Sequence, residues 1–184
     1  MTERNLSALD DVQLVALARG GDPRGLGELM ERHQGVVYRF LVALLGDEDV
    51  AADAAQETFV RALANLNGFR GDAAFRTWLL AIARNEGRGW ARRTERRRES
   101  PMDGVAPLAD PKEAPDDEAV RRTEVARVTA FLDRLPEKQR LSVSLRIFDG
   151  LSFREVAEAT DSTEGAARVN YHHGIRRLRE WLDE

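Results

Sequence analysis

Four of the six prolines in this chain fall between Pro101 and Pro115. No helix persists through prolines so closely spaced, because each removes a backbone donor and clashes with the preceding turn. Asp, Glu and Ala predominate around them, so residues 99–117 read as a linker. The chain is thereby cut into 1–98 and 118–184, each long enough for a small domain with a modest core.

On both sides of the cut, apolar residues recur at spacings of three and four, and few β-branched runs compete, which predicts an all-α fold. A first helix follows Asp10-Asp11 and stops at Gly20-Gly21. Pro23 opens a second, whose stripe of Leu26, Leu29, Met30, His33, Val37, Phe40 and Leu44 runs to Gly46. A third, from Asp49 to about Leu66, puts Ala51, Ala55, Phe59, Ala62 and Leu66 on one side and Asp49, Asp53, Gln56, Glu57 and Val60 on the other. Asn65 to Ala73 is a loop by composition. A fourth helix should face Phe75, Trp78, Leu79 and Ile82 inward, with Thr77, Arg84 and Arg88 opposite, completing a small bundle.

Helical pattern resumes near Glu118 with Val120, Val125, Val128, Phe131 and Leu132, and Pro136 restarts a helix through Phe148. Gly150 closes it. Ser152 and Glu155 have capping-box spacing, predicting a short helix from Phe153 to about Thr160. Asp161 or Ser162 then caps a last helix, with Ala167, Tyr171, Gly174, Ile175, Leu178 and Leu182 inward. Gly165, Arg168, Val169, His172 and Arg176 face away. Two short helices around a tight turn, the second basic, form a helix-turn-helix pattern, although a bare helical hairpin fits the same spacing.

Net charge is -4, which by itself argues against DNA binding, since affinity for phosphate comes mainly from Lys and Arg. Distribution changes that reading. Seven arginines lie between Arg84 and Arg98, and the last helix adds Arg168, Arg176, Arg177 and Arg179, whereas acid collects at 47–57 and 99–118. A chain so divided should bind free DNA poorly and work inside a complex that covers its acidic parts. Cysteine is absent, which excludes disulfides and thiol chemistry and agrees with a reducing cytoplasm. The longest apolar stretch, Phe40 to Leu45, is too short to cross a bilayer and no signal-peptide core is present, so a soluble cytoplasmic protein without membrane insertion is expected.

Asp53 and Glu57, one turn apart, could form an acid/base pair, a solvated face or a docking surface. No neighbouring His, metal-ligand cluster or phosphate loop supports catalysis, and neither an enzyme, a metal nor a cofactor is expected. His172-His173 point about 100° apart on a helix and have no third ligand nearby. They read as base or phosphate contacts, or as surface.

Gln56-Glu57-Thr58-Phe59, Arg76-Thr77-Trp78-Leu79 with Ile82-Ala83-Arg84-Asn85, and Leu135-Pro136-Glu137 through Gly150-Leu151-Ser152 occur in an order that resembles the sigma factors of bacterial RNA polymerase, specifically the compact extracytoplasmic-function group. The resemblance covers nearly the whole chain. It implies a non-enzymatic initiation factor that binds core polymerase and directs it to promoter DNA. Asp49, Asp53, Gln56, Glu57 and Val60 would dock on the clamp helices of the largest subunit, with the flap of the second-largest as a further contact. Asn65, Asn67, Phe69 and Arg70 would line a pocket for an unstacked base of the minus-ten element. Flipping that base costs a few kcal/mol, which the pocket must offset. Arg76, Arg84, Asn85 and Arg88 would hold its neighbours and backbone.

The resemblance further implies that Thr163, Glu164, Arg168, Val169 and His172 face the bases of the minus-thirty-five element, with Arg176 on phosphate. Ala166-Ala167-Arg168-Val169-Asn170 departs here from the family's commoner Thr-Val-Lys-Ser-Arg. Members thread their linker through the polymerase cleft and are commonly clamped by an anti-sigma factor, while from its own residues the stretch 99–117 reads first as a tether. A free-standing helix-turn-helix regulator with an N-terminal sensing or dimerisation bundle is the other reading open at this point.

Overall fold

A computed structural model describes residues 6–99 and 130–183. The expected linker, apart from Glu99, and the start of the helix expected from Glu118, including Val120, Val125 and Val128, lie outside the described residues. Among those described, every regular element is helical.

The helices are α1 (Asp11–Arg19), α2 (Pro23–Leu45), α3 (Glu48–Ala64), α4 (Phe75–Glu99), α5 (Glu137–Ile147), α6 (Phe153–Thr160) and α7 (Glu164–Leu182), with 3-10 turns at Leu6–Ala8 and Leu66–Gly68. Their starts are set by side chains that satisfy orphan amides. Asp10 and Gln13 form a capping box on α1, Asp22 accepts from Arg24 N ahead of α2, Asp47 accepts from Val50 N, and Ser152 with Glu155 boxes α6. Gly46 ends α2 in the left-handed conformation (φ 69°) that glycine adopts without strain.

Phe40, Leu41, Leu14, Leu29, Val37, Leu79 and Leu80 are fully buried, and the apolar cluster they anchor continues into Leu141, Leu145, Leu151 and Val156. α2 packs on α5, and α4 on α6, so the two halves share one interior. A second cluster, Leu132, Leu135 and Val143 with Tyr171, Ile175, Leu178 and Trp181, joins α7 to α5. Several expected faces shift. Met30 and Leu182 are exposed, Trp181 taking the inward place expected of Leu182. Thr77, expected outside, is buried with its Oγ1 unpartnered. The helix from residue 75 runs through the arginine-rich stretch to Glu99. Thr163, rather than Asp161 or Ser162, caps α7, because Asp161 is spent ending α6 in a left-handed conformation (φ 56°).

Candidate nucleic-acid and protein interfaces

The outer face of α3 is built by helical spacing alone. Asp49, Asp53, Gln56, Val60 and Leu63 follow one another at three or four residues and are all exposed, Val60 at 62% and Leu63 at 50%. Opposite them, Ala51, Ala54, Thr58 and Ala62 are buried, with Thr58 Oγ1 donating to Ala54 O at 2.7 Å. The result is an acidic stripe with an exposed apolar end. Leu63 was not singled out by sequence, although its spacing from Val60 places it there. Glu57 stands beside the stripe and shares Arg61 (3.3 Å) with Glu86 (3.1 Å). At the start of α3, burial first, and Glu48 and Asp49 second, push the Tyr38 phenol above its ordinary value.

The loop between α3 and α4 is pinned from both sides. Asn65 Nδ2 donates to Arg61 O at 2.9 Å and so ends α3. Arg19, from α1, donates to Leu66 O (3.3 and 2.7 Å) and to Phe69 O. Asn67 and Arg70 project outward. Phe69 does not: its ring is 5% exposed, edge-on to Phe75 at 5.3 Å and beside Trp78 at 5.5 Å. The expectation that Phe69 lines an open base pocket is therefore corrected, since the ring is used to hold the loop to the core. His33 extends the aromatic cluster through Phe75 (5.5 Å) and bonds Asp11 at 2.8 Å.

On α4, Asn85 and Arg88 are exposed, but Arg76 and Arg84 are turned onto the other half of the chain. Arg76 bonds Glu155 at 2.7 Å and Asp149 O at 3.2 Å. Arg84 reaches the carbonyls of Glu158 and Ala159, both at 3.3 Å, which lie in the last turn of α6 and have no partner within the helix. Arg140 does the reverse, donating to Ala43 O in the last turn of α2. Each half thus caps a helix of the other with a guanidinium, a favourable place for positive charge.

Arg39 pairs with Asp149, whose side chain is 2% exposed and whose second carboxylate oxygen is buried without a partner. Burial raises the Asp149 carboxyl above its ordinary value despite Arg39 and Arg76. Burial also pushes Glu155 up, but bonds from Arg76 and Ser152 together hold it below the ordinary range. A cleft of about 470 Å³, lined by His33, Arg39, Arg76, Phe148 and Asp149, opens along this seam.

The outer face of α7 carries Arg168, Val169, His172 and Arg176, all exposed, and Glu164 at its first turn. Thr163 accepts from Ala166 N at 3.2 Å, so its hydroxyl serves the helix start. Glu164 pairs with Arg168 at 2.9 Å, and Arg176 lies 3.9 Å from Glu180. Among the described residues, no group of three His, Asp or Glu side chains converges in a way that could hold a metal ion, and no helix is long and apolar enough to cross a membrane.

The family models "Sigma-70 region 2" and "Sigma-70, region 4" match residues 29–97 and 126–178, and so take in α3 with α4 and the α6–α7 pair. The chain is 32% identical to the RNA polymerase sigma-H factor of Pseudomonas aeruginosa, over 97% of this chain and 95% of that protein. Identity is 34% to the ECF RNA polymerase sigma-E factor of Escherichia coli K12, over 95% and 93%. Among solved structures, CnrH in complex with the cytosolic domain of CnrY superposes with a TM-score of 0.68 at 27% identity, covering 95% of this chain and 97% of that one. The Bartonella quintana sigma factor RpoE, solved with the anti-sigma factor NepR, shares the fold at a TM-score of 0.66 and 21% identity, over 85% and 96%.

Proposed function

The chain belongs to the extracytoplasmic-function group of the sigma-70 family and is a transcription initiation factor rather than a free regulator; from that premise we propose how its surfaces divide the work. The α3 stripe of Asp49, Asp53, Gln56 and Val60, flanked by Glu57 and lengthened by Leu63, docks on the clamp helices of core polymerase. What carries this reading is the co-exposure of Val60 and Leu63 with those carboxylates on a face the bundle leaves uncovered. Exposed apolar side chains in line with charge suit a protein partner better than they suit water or phosphate.

Residues 1–98 form the minus-ten and polymerase-binding domain, 118–184 the minus-thirty-five domain, and 99–117 the connection. Asn65, Asn67 and Arg70 approach the unstacked base, while Asn85 and Arg88 hold the strand. Arg76 and Arg84 join them only when α6 leaves α4, because their guanidiniums are otherwise held against Glu155 and the carbonyls of α6. DNA opening in this reading therefore requires the two halves to part. On α7, Arg168, Val169 and His172 meet bases, Arg176 meets phosphate, Glu164 orients Arg168, and Thr163 acts as helix cap. The protein performs no covalent chemistry and works in the cytoplasm. An anti-sigma partner belongs to the same reading, supported by CnrH having been solved with the cytosolic domain of CnrY.

The test is run-off transcription with core polymerase on a promoter library, alongside co-purification. Gln56→Ala/Glu57→Ala should abolish association with core, and Arg168→Ala should change upstream preference while association persists. Retention of normal core binding by the double variant would refute the assignment of α3.

A further inference from the structure

Phe153 opens α6, yet its ring contacts belong mostly to α7. Tyr171 meets it edge-on at 5.5 Å and His172 lies 6.4 Å away. Two guanidiniums converge on it: Arg146, from the end of α5, stands 4.6 Å from the ring centre, and Arg168 stands 5.0 Å from it. Arg146 is fixed in turn by donating to Leu151 O, and Arg168 by Glu164 at 2.9 Å. The ring is half-buried and packs against the main core, so it is a fixed platform rather than a mobile side chain.

An aromatic face attracts a guanidinium through its quadrupole, and the planar cation loses little of its donor capacity by stacking. Arg168 is otherwise an exposed, rotamer-rich side chain near the start of α7. Left free, it would have to be ordered on binding, at a cost in entropy. Held between the ring of Phe153 and the carboxylate of Glu164, it is already restrained before binding. The requirement is strict for this residue type, because a bidentate contact to a guanine edge depends on the plane of the guanidinium.

Resting on the reading of α7 as the minus-thirty-five helix, we infer that Phe153 is a positioning residue for promoter selectivity: it orients Arg168 for base readout and, by gathering Arg146 onto the same ring, adds a second positive charge beside it. Phe153 itself contacts no base. Its contribution passes through Arg168.

The experiment uses the full chain with core polymerase on a library randomised across the upstream element with a constant downstream element. It compares wild type with Phe153→Leu, Phe153→Trp, Arg168→Ala and the double variant Phe153→Leu/Arg168→Ala. Phe153→Leu should flatten preference at the same base positions as Arg168→Ala, by about two- to fivefold, the range expected for loss of one cation–aromatic contact at an exposed site. Phe153→Trp should keep the preference, and the double variant should be no worse than Arg168→Ala. Thermal melting separates a folding failure from a readout failure, and the Trp variant keeps the comparison decisive if Leu unfolds the hairpin, since loss of preference in a folded Trp variant counts against the ring's role. Preference unchanged in Phe153→Leu while Arg168→Ala alters it overturns this inference alone. Preference unchanged in Arg168→Ala overturns the reading of α7 together with it.

Discussion

Arg19 ends α1, and its guanidinium reaches across to the carbonyls of Leu66 and Phe69, nearly fifty residues on in the chain. Those carbonyls belong to the loop that presents Asn67 and Arg70, so a residue with no part in DNA contact fixes the shape of the proposed minus-ten pocket. Charge-assisted bonds of this kind are worth about 1.5–3 kcal/mol. Arg19→Ala should therefore raise amide hydrogen exchange in 65–70 by roughly tenfold or more, which is the same energy read as an opening equilibrium, while protection in α2 is unchanged. An unaltered exchange rate in the loop would show that the aromatic cluster alone holds it. Sequence could not reveal this clamp, because an arginine at a helix end is accounted for locally by the helix dipole. Phe69 was obscure for a related reason. An aromatic in a polar loop has the composition of a base-pocket residue, and only the edge-on contact with Phe75 and the tilted one with Trp78 reveal that the ring is turned into the core.

Helix limits, by contrast, are written in short-range chemistry and were legible: Asp10, Pro23, Gly46, and Ser152 with Glu155 all act where their spacing places them. What spacing leaves open is how closely helices approach. Gly174 of α7 lies against α5, where an added Cβ would stand 2.6 Å from Val143 Cγ2 and 3.4 Å from Gln139 O. Gly25 is less forgiving, since an added Cβ would stand 2.7 Å from Leu14 O, a backbone atom that cannot rotate away. Alanine in mid-helix gains up to about 1 kcal/mol in propensity over glycine. Overpacking costs about 1–3 kcal/mol. Gly174→Ala should thus destabilise the chain by up to about 2 kcal/mol, net of these two terms, and Val143→Ala should cost less in that background than in the wild type. Chemical denaturation checks both. Simple additivity of the two substitutions would mean that α7 and α5 do not touch there.

The seam between the halves was the least legible feature of all. Arginines on α4 read as ligands for phosphate, because sequence does not distinguish a phosphate oxygen from a helix-end carbonyl as the acceptor. In the folded chain Arg84 takes the second kind of partner, Arg76 takes the Glu155 carboxylate and the turn carbonyl of Asp149, and Arg140 answers from the opposite side. The two halves also share a buried apolar cluster, so separating them exposes hydrophobic surface that a partner must cover. Polymerase can supply that cover; DNA alone, a polar ligand, cannot.

The balance of this seam has a pH signature. Glu155 is held below its ordinary value of 4.5, so its contribution to the closed arrangement is complete above that pH and is lost as pH falls through the depressed value. Asp149 is raised above its ordinary 3.8, so the closed arrangement prefers it protonated, and its charged form is a net cost at neutral pH despite Arg39. The two carboxylates therefore oppose each other. Because the chain has no cysteine, Ala52→Cys and Arg179→Cys accept a dye pair uniquely, and energy transfer reports the distance between the halves. Glu155→Gln should lower the closed-to-open ratio at pH 7 by roughly tenfold, about 1.5 kcal/mol for one charge-assisted contact, and the difference should shrink as pH falls below 4.5. Asp149→Asn should leave the closed state as populated as before, or more so. If the asparagine opens the chain at pH 7 while the glutamine does not, then Asp149–Arg39 is the attraction that holds the two halves together over Arg76 and Arg84, and Glu155 merely caps its own helix.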